Sequence, residues 1–140
     1  MARAYGARAQ LLGLAESVYG VAPGGDFRRL PFVSAGFGKS QGHQDNDVIG
    51  LGRDPAEPIR DVVEVAGDIV VPVDVRNIGF WLTALLGPPV TTGLGPYTHG
   101  FTSGVTDLPS LALELGHPEV PAFFLSLGVR LNSLALSFQP

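Results

Sequence analysis

The clearest alternation of apolar and polar side chains runs from Asp61 to Asp74. Val63, Val65, Ile69, Val71 and Val73 share one parity, and Glu64, Asp68 and Asp74 share the other. A period of two places one set in a core and the other toward water. Gly67 falls on the apolar parity near the midpoint, which predicts a turn or bulge there. Two antiparallel strands therefore fit this stretch better than one long strand.

The period changes after Asp74. Val75, Ile78, Leu82 and Leu85 follow helical spacing, and Phe80, Trp81 and Leu86 widen the stripe. With Asp74 as N-cap, Gly87 able to end the helix and Pro88-Pro89 forbidding its continuation, the pattern predicts one α-helix over about Val75–Leu86. Gly79 inside it costs about 1 kcal/mol relative to alanine, so a close backbone contact is expected on that side. A helix this apolar should be almost enveloped.

The remaining apolar pieces are short. Ala7–Tyr19 suits either a short helix or a strand running into the turn Gly20–Gly25, and Leu30–Phe37 reads as a short strand. Tyr97–Thr102, Ser110–Leu115, Ala122–Leu127 and Val129–Phe138 read as β segments. Phe123, Leu125, Leu127, Val129 and Leu131 lie on odd positions, whereas Leu134, Leu136 and Phe138 lie on even ones. One strand cannot switch faces without a bulge or turn, which is expected at Asn132-Ser133 or just before, at Gly128. The fold class expected is mainly β, a sandwich or rolled barrel with one packed helix. Val63, Val65, Ile69, Val71, Trp81, Leu82 and Leu85 are its expected core residues.

Composition narrows the function classes. The 140 residues fit a single domain. Nineteen glycines and twelve prolines argue for many turns. The stretch at about 36–58 holds five of those glycines, two prolines and a cluster of charge, and reads as a long exposed loop. There is no cysteine, which removes disulfides, thiolate metal sites and cysteine nucleophiles. The formal charge is -4, and a protein that grips phosphates normally carries a basic excess. No apolar run approaches the roughly 20 residues of a membrane span, and the first ten residues lack a secretory layout. No membrane anchor is expected.

Candidate chemistry fails on spacing. Gly38-Lys39-Ser40 resembles the end of a P-loop, but Val33 stands where the leading glycine belongs. Asp45-Asn46-Asp47 opens like a calcium loop, with Ile49 and Ala56 at later ligand positions. His43, His99 and His117 lie in separate segments, and no serine sits in a GxSxG elbow. These patterns favour no enzyme, no metal and no cofactor.

Whole segments, in order, do carry a resemblance. They are Glu16-Ser-Val-Tyr-Gly20 with Pro23, Asp47-Val-Ile-Gly50 with Arg53 and Pro55, and Val65-Ala-Gly67-Asp-Ile-Val-Val-Pro72-Val-Asp74. The helix Ile78–Leu86, Tyr97-Thr98-His99-Gly100-Phe101, Leu108-Pro109-Ser110-Leu111 and Gly128–Leu136 follow. Together they resemble the tail tube (major tail) proteins of tailed bacteriophages, over about Ala7–Phe138. Members of that family run further than this chain, which reads as a compact variant or a piece of a longer protein.

The resemblance implies a structural virion protein, made in the bacterial host cytoplasm, whose homomeric rings stack into a tail tube. Rings are six-fold in relatives, and type VI secretion tubes share the architecture. DNA would pass the bore without specific binding, and the partners would be tape-measure, terminator and baseplate proteins. The 36–58 loop, with Lys39, Asp45, Asp47 and Arg53, is then expected to reach an adjacent ring. The alternatives are another tail component (terminator, connector or baseplate hub) and a small ligand-binding β-barrel with a pocket around His99 and Trp81.

Overall fold

The computed structural model describes residues 5–46 and 57–138. The described chain is mainly β with one α-helix. Its strands are β1 (Gln10–Ala15), β2 (Arg28–Leu30), β3 (Ser34–Ala35), β4 (Gly38–Gln44), β5 (Ile59–Ala66), β6 (Ile69–Val70), β7 (Val90–Thr92), β8 (Thr98–Gly100), β9 (Leu111–His117) and β10 (Ala122–Val129). The helix is α1 (Ile78–Leu86), and a single 3-10 turn, Gly6–Arg8, precedes β1. Two compact units emerge, Met1–Pro31 with Pro72–Pro140, and Phe32–Val71.

The first unit is built on a four-stranded antiparallel sheet in the order β10-β9-β1-β2. Register puts Leu11 opposite both Leu30 and Leu115, and Gly13 opposite Leu113. Leu11, Leu30, Leu111, Ala112 and Leu113 are buried. So is Trp81 of α1, at 4% exposure, while Leu82 and Leu85 are half-buried. Phe80 crosses Trp81 edge to face at 5.3 Å, a favoured aromatic geometry. Phe80 also reaches over Gly13: a Cβ there would lie 3.1 Å from Phe80 Cζ and 2.7 Å from Leu30 Cδ1. The glycine is the gap that lets the helix settle on β1.

Helix α1 begins later than the apolar spacing predicts. Regular helix starts at Ile78, after a turn over residues 75–77. The N-cap residue is Asn77, with no side-chain cap bond, and Asp74 instead closes the turn that leads into the helix. The Asp74 Oδ1 accepts from the backbone N–H groups of Arg76 and Asn77 at 2.7 and 2.9 Å, and its carbonyl accepts from Ile78 N at 3.0 Å. At the other end Gly87, with φ +96°, donates its N–H to the Thr83 carbonyl at 2.9 Å. The close backbone contact expected at Gly79 is not found, because a Cβ built there meets nothing within 4 Å.

A bulge occurs at Gly128, the alternative position, and not at Asn132-Ser133, which lies in no strand. The β9–β10 register shifts between Ser126 and Val129, with Gly128 at φ +68°. The strand expected over Val129–Phe138 does not form: residues 130–138 carry no strand, and Leu134, Leu136 and Phe138 are exposed at 40%, 55% and 80%. Alternation sets which side chains share a face, but a strand also needs a partner edge.

The second unit is a β ribbon of two successive two-stranded ladders, called the arm below. Strand β3 pairs with β6, and β4 pairs with β5. Gly36 N donates to the Asp68 carbonyl at 2.8 Å between the two ladders. Two expectations are corrected here. Residues 38–44 form a strand, so the stretch at 36–58 is not loop throughout. Residues 47–56, including Asp47 and Arg53, lie outside the described residues. The break at Gly67 does occur, at φ +150°, where a Cβ would sit 2.4 Å from Phe37 Cα. Yet β5 and β6 do not pair with each other. They are successive segments of one leg, each laddered to the opposite leg.

The expected core positions in the arm also need correction. Val63 and Val65 are 44% and 45% exposed, and every residue of β4 and β5 is exposed. Ile69 and Val71 are half-buried. A two-stranded ribbon has no second layer to cover either face, so the alternation here marks an apolar stripe left open in the single chain.

Candidate assembly surfaces

The arm presents two unlike faces. Lys39 lies opposite Val65 and Gln41 opposite Val63, and directly opposed residues share a face of the ribbon. That face carries Val63 and Val65; beyond the register shift Ile59 pairs with Gln44, and Asp61 lies beside the Cβ position of Gly42, so both turn to the other face. The other carries Ser40 opposite Glu64, together with Val62 at 81% exposure. The Gln41 side chain donates to the Asp61 carbonyl at 2.9 Å across the register shift between Gln41 and His43. Lys39 thus sits on the valine face, and Asp45 is exposed just past the end of β4.

Charge is distributed unevenly between the units. Residues 32–71 hold seven aspartates and glutamates against three lysines and arginines, so the entire net charge of -4 resides there. The rest of the chain is balanced. The acidic character belongs to the arm.

The sheet supplies a second open surface at its β10 edge. Phe123, Phe124, Leu125 and Leu127 are exposed by 50%, 58%, 45% and 39%. An edge strand with apolar groups on both sides is a template for pairing with another chain. The end of this edge is fixed by Glu16. Its Oε1 accepts from Gly128 N at 2.8 Å, and its Oε2 accepts from Gly20 N at 2.9 Å and from the Ser110 hydroxyl. Burial alone would raise the Glu16 pKa, but the bonds from Ser110, Gly128 and Gly20 outweigh it and hold the carboxyl below its ordinary value.

A third surface is an open groove of about 630 Å³ in the first unit, beside α1. Ile78, Leu82, Phe101 and Leu111 give it an apolar wall, and Gly79 lines it. Arg28 and Arg76, both exposed, add cationic groups to the lining, and the Arg28 guanidinium donates to the Arg76 carbonyl. Asp74 stands close by. Its carboxyl is held below the ordinary value chiefly by the Asn77 side-chain bond, against a smaller effect of burial, with help from the Arg76 and Asn77 amides and the charge of Arg28. His99 lines the groove and bonds Thr91 Oγ1 through Nδ1 at 2.8 Å, but Trp81 is not part of the lining. This groove thus gathers His99 without Trp81.

Among the described residues no three His, Asp or Glu groups gather as a metal ion would require. Nor is any described helix long and apolar enough to cross a membrane. What the described residues share is surface left open. The family model described as phage tail tube protein matches residues 6–140. The chain belongs to the phage tail tube protein family. Neither the curated proteins nor the solved structures yield a match. Tail tube family membership makes this a structural protein of the virion tail, in a tube assembled with other tail proteins. The sequence missed the arm as a β ribbon because β4 (Gly-Lys-Ser-Gln-Gly-His-Gln) carries no apolar alternation of its own. Its one available signal was the need of β5 for a ladder partner.

Proposed function

We propose that the chain is a non-catalytic subunit that closes into homomeric rings, six-fold as the family resemblance implies, and that these rings stack into a tube. Heterologous contacts close a ring when the rotation permits, and repeated contacts between ring faces extend it into a filament. The β4–β5 arm is the stacking element, reaching an adjacent ring with Lys39, Asp45, Asp47 and Arg53 on or near it. The observation that carries this reading is a ribbon exposed along its whole length on both faces. An isolated two-stranded hairpin is at best marginally stable in water, and it gains order when a neighbour covers it.

DNA passes the bore without specific binding. The surplus of acidic groups in residues 32–71 supports this, because a cationic lining would hold phosphates through counterion release. Tape-measure, terminator and baseplate proteins are the partners at the tube ends and within it, and synthesis takes place in the host cytoplasm. Negative-stain microscopy of concentrated protein tests the reading. Long hollow tubes are expected from the native chain, and isolated rings or none from a variant with residues 39–65 replaced by a short Gly-Ser turn. Tubes from that variant would end the role of the arm. Single rings from the native chain would favour a terminator or hub instead.

A further inference from the structure

We infer that residues 132–138 of one copy add as a fifth strand to the β10 edge of the four-stranded sheet in the next copy. This pairing rests on the ring closure proposed above, and it names the segment and the edge that make the contact.

The donor segment has the pattern of a strand and no partner in its own chain. Leu134, Leu136 and Phe138 alternate with Ser133, Ala135 and Ser137, and residues 132–138 hold no charge, glycine or proline. They are exposed throughout, and among the described residues no backbone hydrogen bond reaches them. The ladder that would have continued them runs out, because Val129 pairs with Leu111, the first residue of β9. Their root is nevertheless held. Arg130 lies over the Tyr19 ring at 5.1 Å, and Gly128 N donates to the Glu16 carboxylate. The segment is thus anchored at one end and unpaired beyond it.

The acceptor is an unguarded edge. Strand β10 is hydrogen-bonded to β9 alone, its register is regular from Ala122 to Ser126, and its eight residues include no charge and no proline. Proteins normally blunt an open edge with charges, prolines or bulges, and here the bulge lies only at the far end, by Gly128. Exposed Phe123, Phe124 and Leu125 flank the free backbone groups. Donor and edge match in length, and their cross-strand pairs would be apolar on apolar. Main-chain bonds supply the attachment in such strand addition, and alternate side chains supply its specificity.

A second copy is the occupant because one chain carries both halves of the contact. A segment that meets a different patch of the next copy makes a heterologous interface, which repeats from copy to copy and closes into a ring where the rotation permits. Two β10 edges paired with each other would stop at a two-fold dimer.

The chain has no cysteine, so single thiols report unique contacts. Leu136→Cys protein is mixed in turn with Phe123→Cys, Phe124→Cys and Leu125→Cys protein, assembled and oxidised. At least one pair should cross-link tenfold or more above Leu136→Cys with Val90→Cys, an exposed residue of β7 outside the four-stranded sheet. Ala135→Pro is the second measurement. Proline cannot donate to a ladder, and Ala135 belongs to none in its own subunit. The variant should keep the native circular dichroism spectrum and Tm within a few degrees, and lose rings and tubes. Ala135→Ser keeps the N–H and should retain them.

Tubes from Ala135→Pro overturn the pairing. So does cross-linking to Val90→Cys equal to that of the β10 thiols, or none to β10 in well-formed tubes. An intrachain disulfide in a dilute Leu125→Cys, Leu136→Cys double variant, formed as readily as the bond between assembled copies, overturns it too, since the segment would then fold back on its own edge. In each case ring closure survives through another contact. If the native chain forms neither rings nor tubes under any condition, ring closure falls and the pairing falls with it.

Discussion

Glu16 and Ser110 bind each other twice. The Glu16 backbone N–H donates to the Ser110 carbonyl at 2.9 Å, and the Ser110 hydroxyl donates to the Glu16 carboxylate. The residues lie 94 positions apart, and Ser110 is buried at 6% exposure. The pair ties the end of β1 to the start of β9. Through Gly128 and Gly20 the same carboxylate also fixes the β10 bulge and the turn after β1.

Glu16→Gln should therefore destabilise the first unit. An amide cannot accept at both ends, so at least one of the three donors loses its partner, and such a loss costs about 1–3 kcal/mol. The pH dependence follows from the lowered pKa. A depressed carboxyl contributes stability that is complete above its unfolded value of roughly 4.3 and is lost as pH falls through the folded value. Thermal melts of native and E16Q protein should differ most at neutral pH and converge in acid below about pH 4. A difference that stays constant through that range would show that Glu16 is not held by these bonds as an anion.

Gly13→Ala tests the seat of the helix. The new methyl would meet Leu30 Cδ1 at 2.7 Å, Leu113 Cδ2 at 3.0 Å and Phe80 Cζ at 3.1 Å. Leu30 and Leu113 are each 1% exposed, so neither has free space to retreat into. Overpacking of this kind costs about 1–3 kcal/mol. Urea denaturation should give a lower midpoint for G13A, and G13A with Phe80→Leu should recover part of it.

Asp74→Ala should lower the Tm by loosening the turn that leads into the helix, because the amides of Arg76 and Asn77 lose their acceptor. Asp74→Asn should restore most of the Tm, since asparagine closes such a turn as aspartate does. Restoration by Asn separates the turn bonds from the charge near Arg28. A Tm for D74N as low as that of D74A would assign the effect to charge.

Local rules were enough for part of this fold. The stop at Gly87 follows from one residue's conformational preference and is where spacing placed it, whereas the helix starts at Ile78 with Asn77 as its N-cap rather than Asp74, and the register shift falls at Gly128, the second of the two positions expected. Burial in the arm was not legible in that way. The parity of Val63, Val65, Ile69 and Val71 shows which side chains share a face, but covering that face needs a second layer, and nothing in a period of two says whether the same chain supplies it. Gly79 shows the same limit, because a helix glycine permits a close neighbour without requiring one, and a Cβ there meets nothing within 4 Å. Of the candidate site residues, Lys39 and Asp45 are placed, whereas Asp47 and Arg53 fall outside the described residues.

The two kinds of apolar residue should separate cleanly on substitution. Trp81 is 4% exposed, and truncating a buried aromatic to alanine costs about 3–5 kcal/mol. Val65 is 45% exposed on an uncovered ribbon, and a surface substitution there should change monomer stability by no more than about 0.5 kcal/mol. Val65→Lys is thus expected to melt with the native chain in dilute solution while abolishing tubes in concentrated solution, because a lysine would carry its charge into the contact proposed for the ribbon with an adjacent ring. Trp81→Ala should lose both properties together. Chemical denaturation paired with electron microscopy of the same preparations decides between the two. Loss of monomer stability in V65K comparable to W81A would mean that the valine stripe is already covered within its own subunit, and that the arm has no open face to offer.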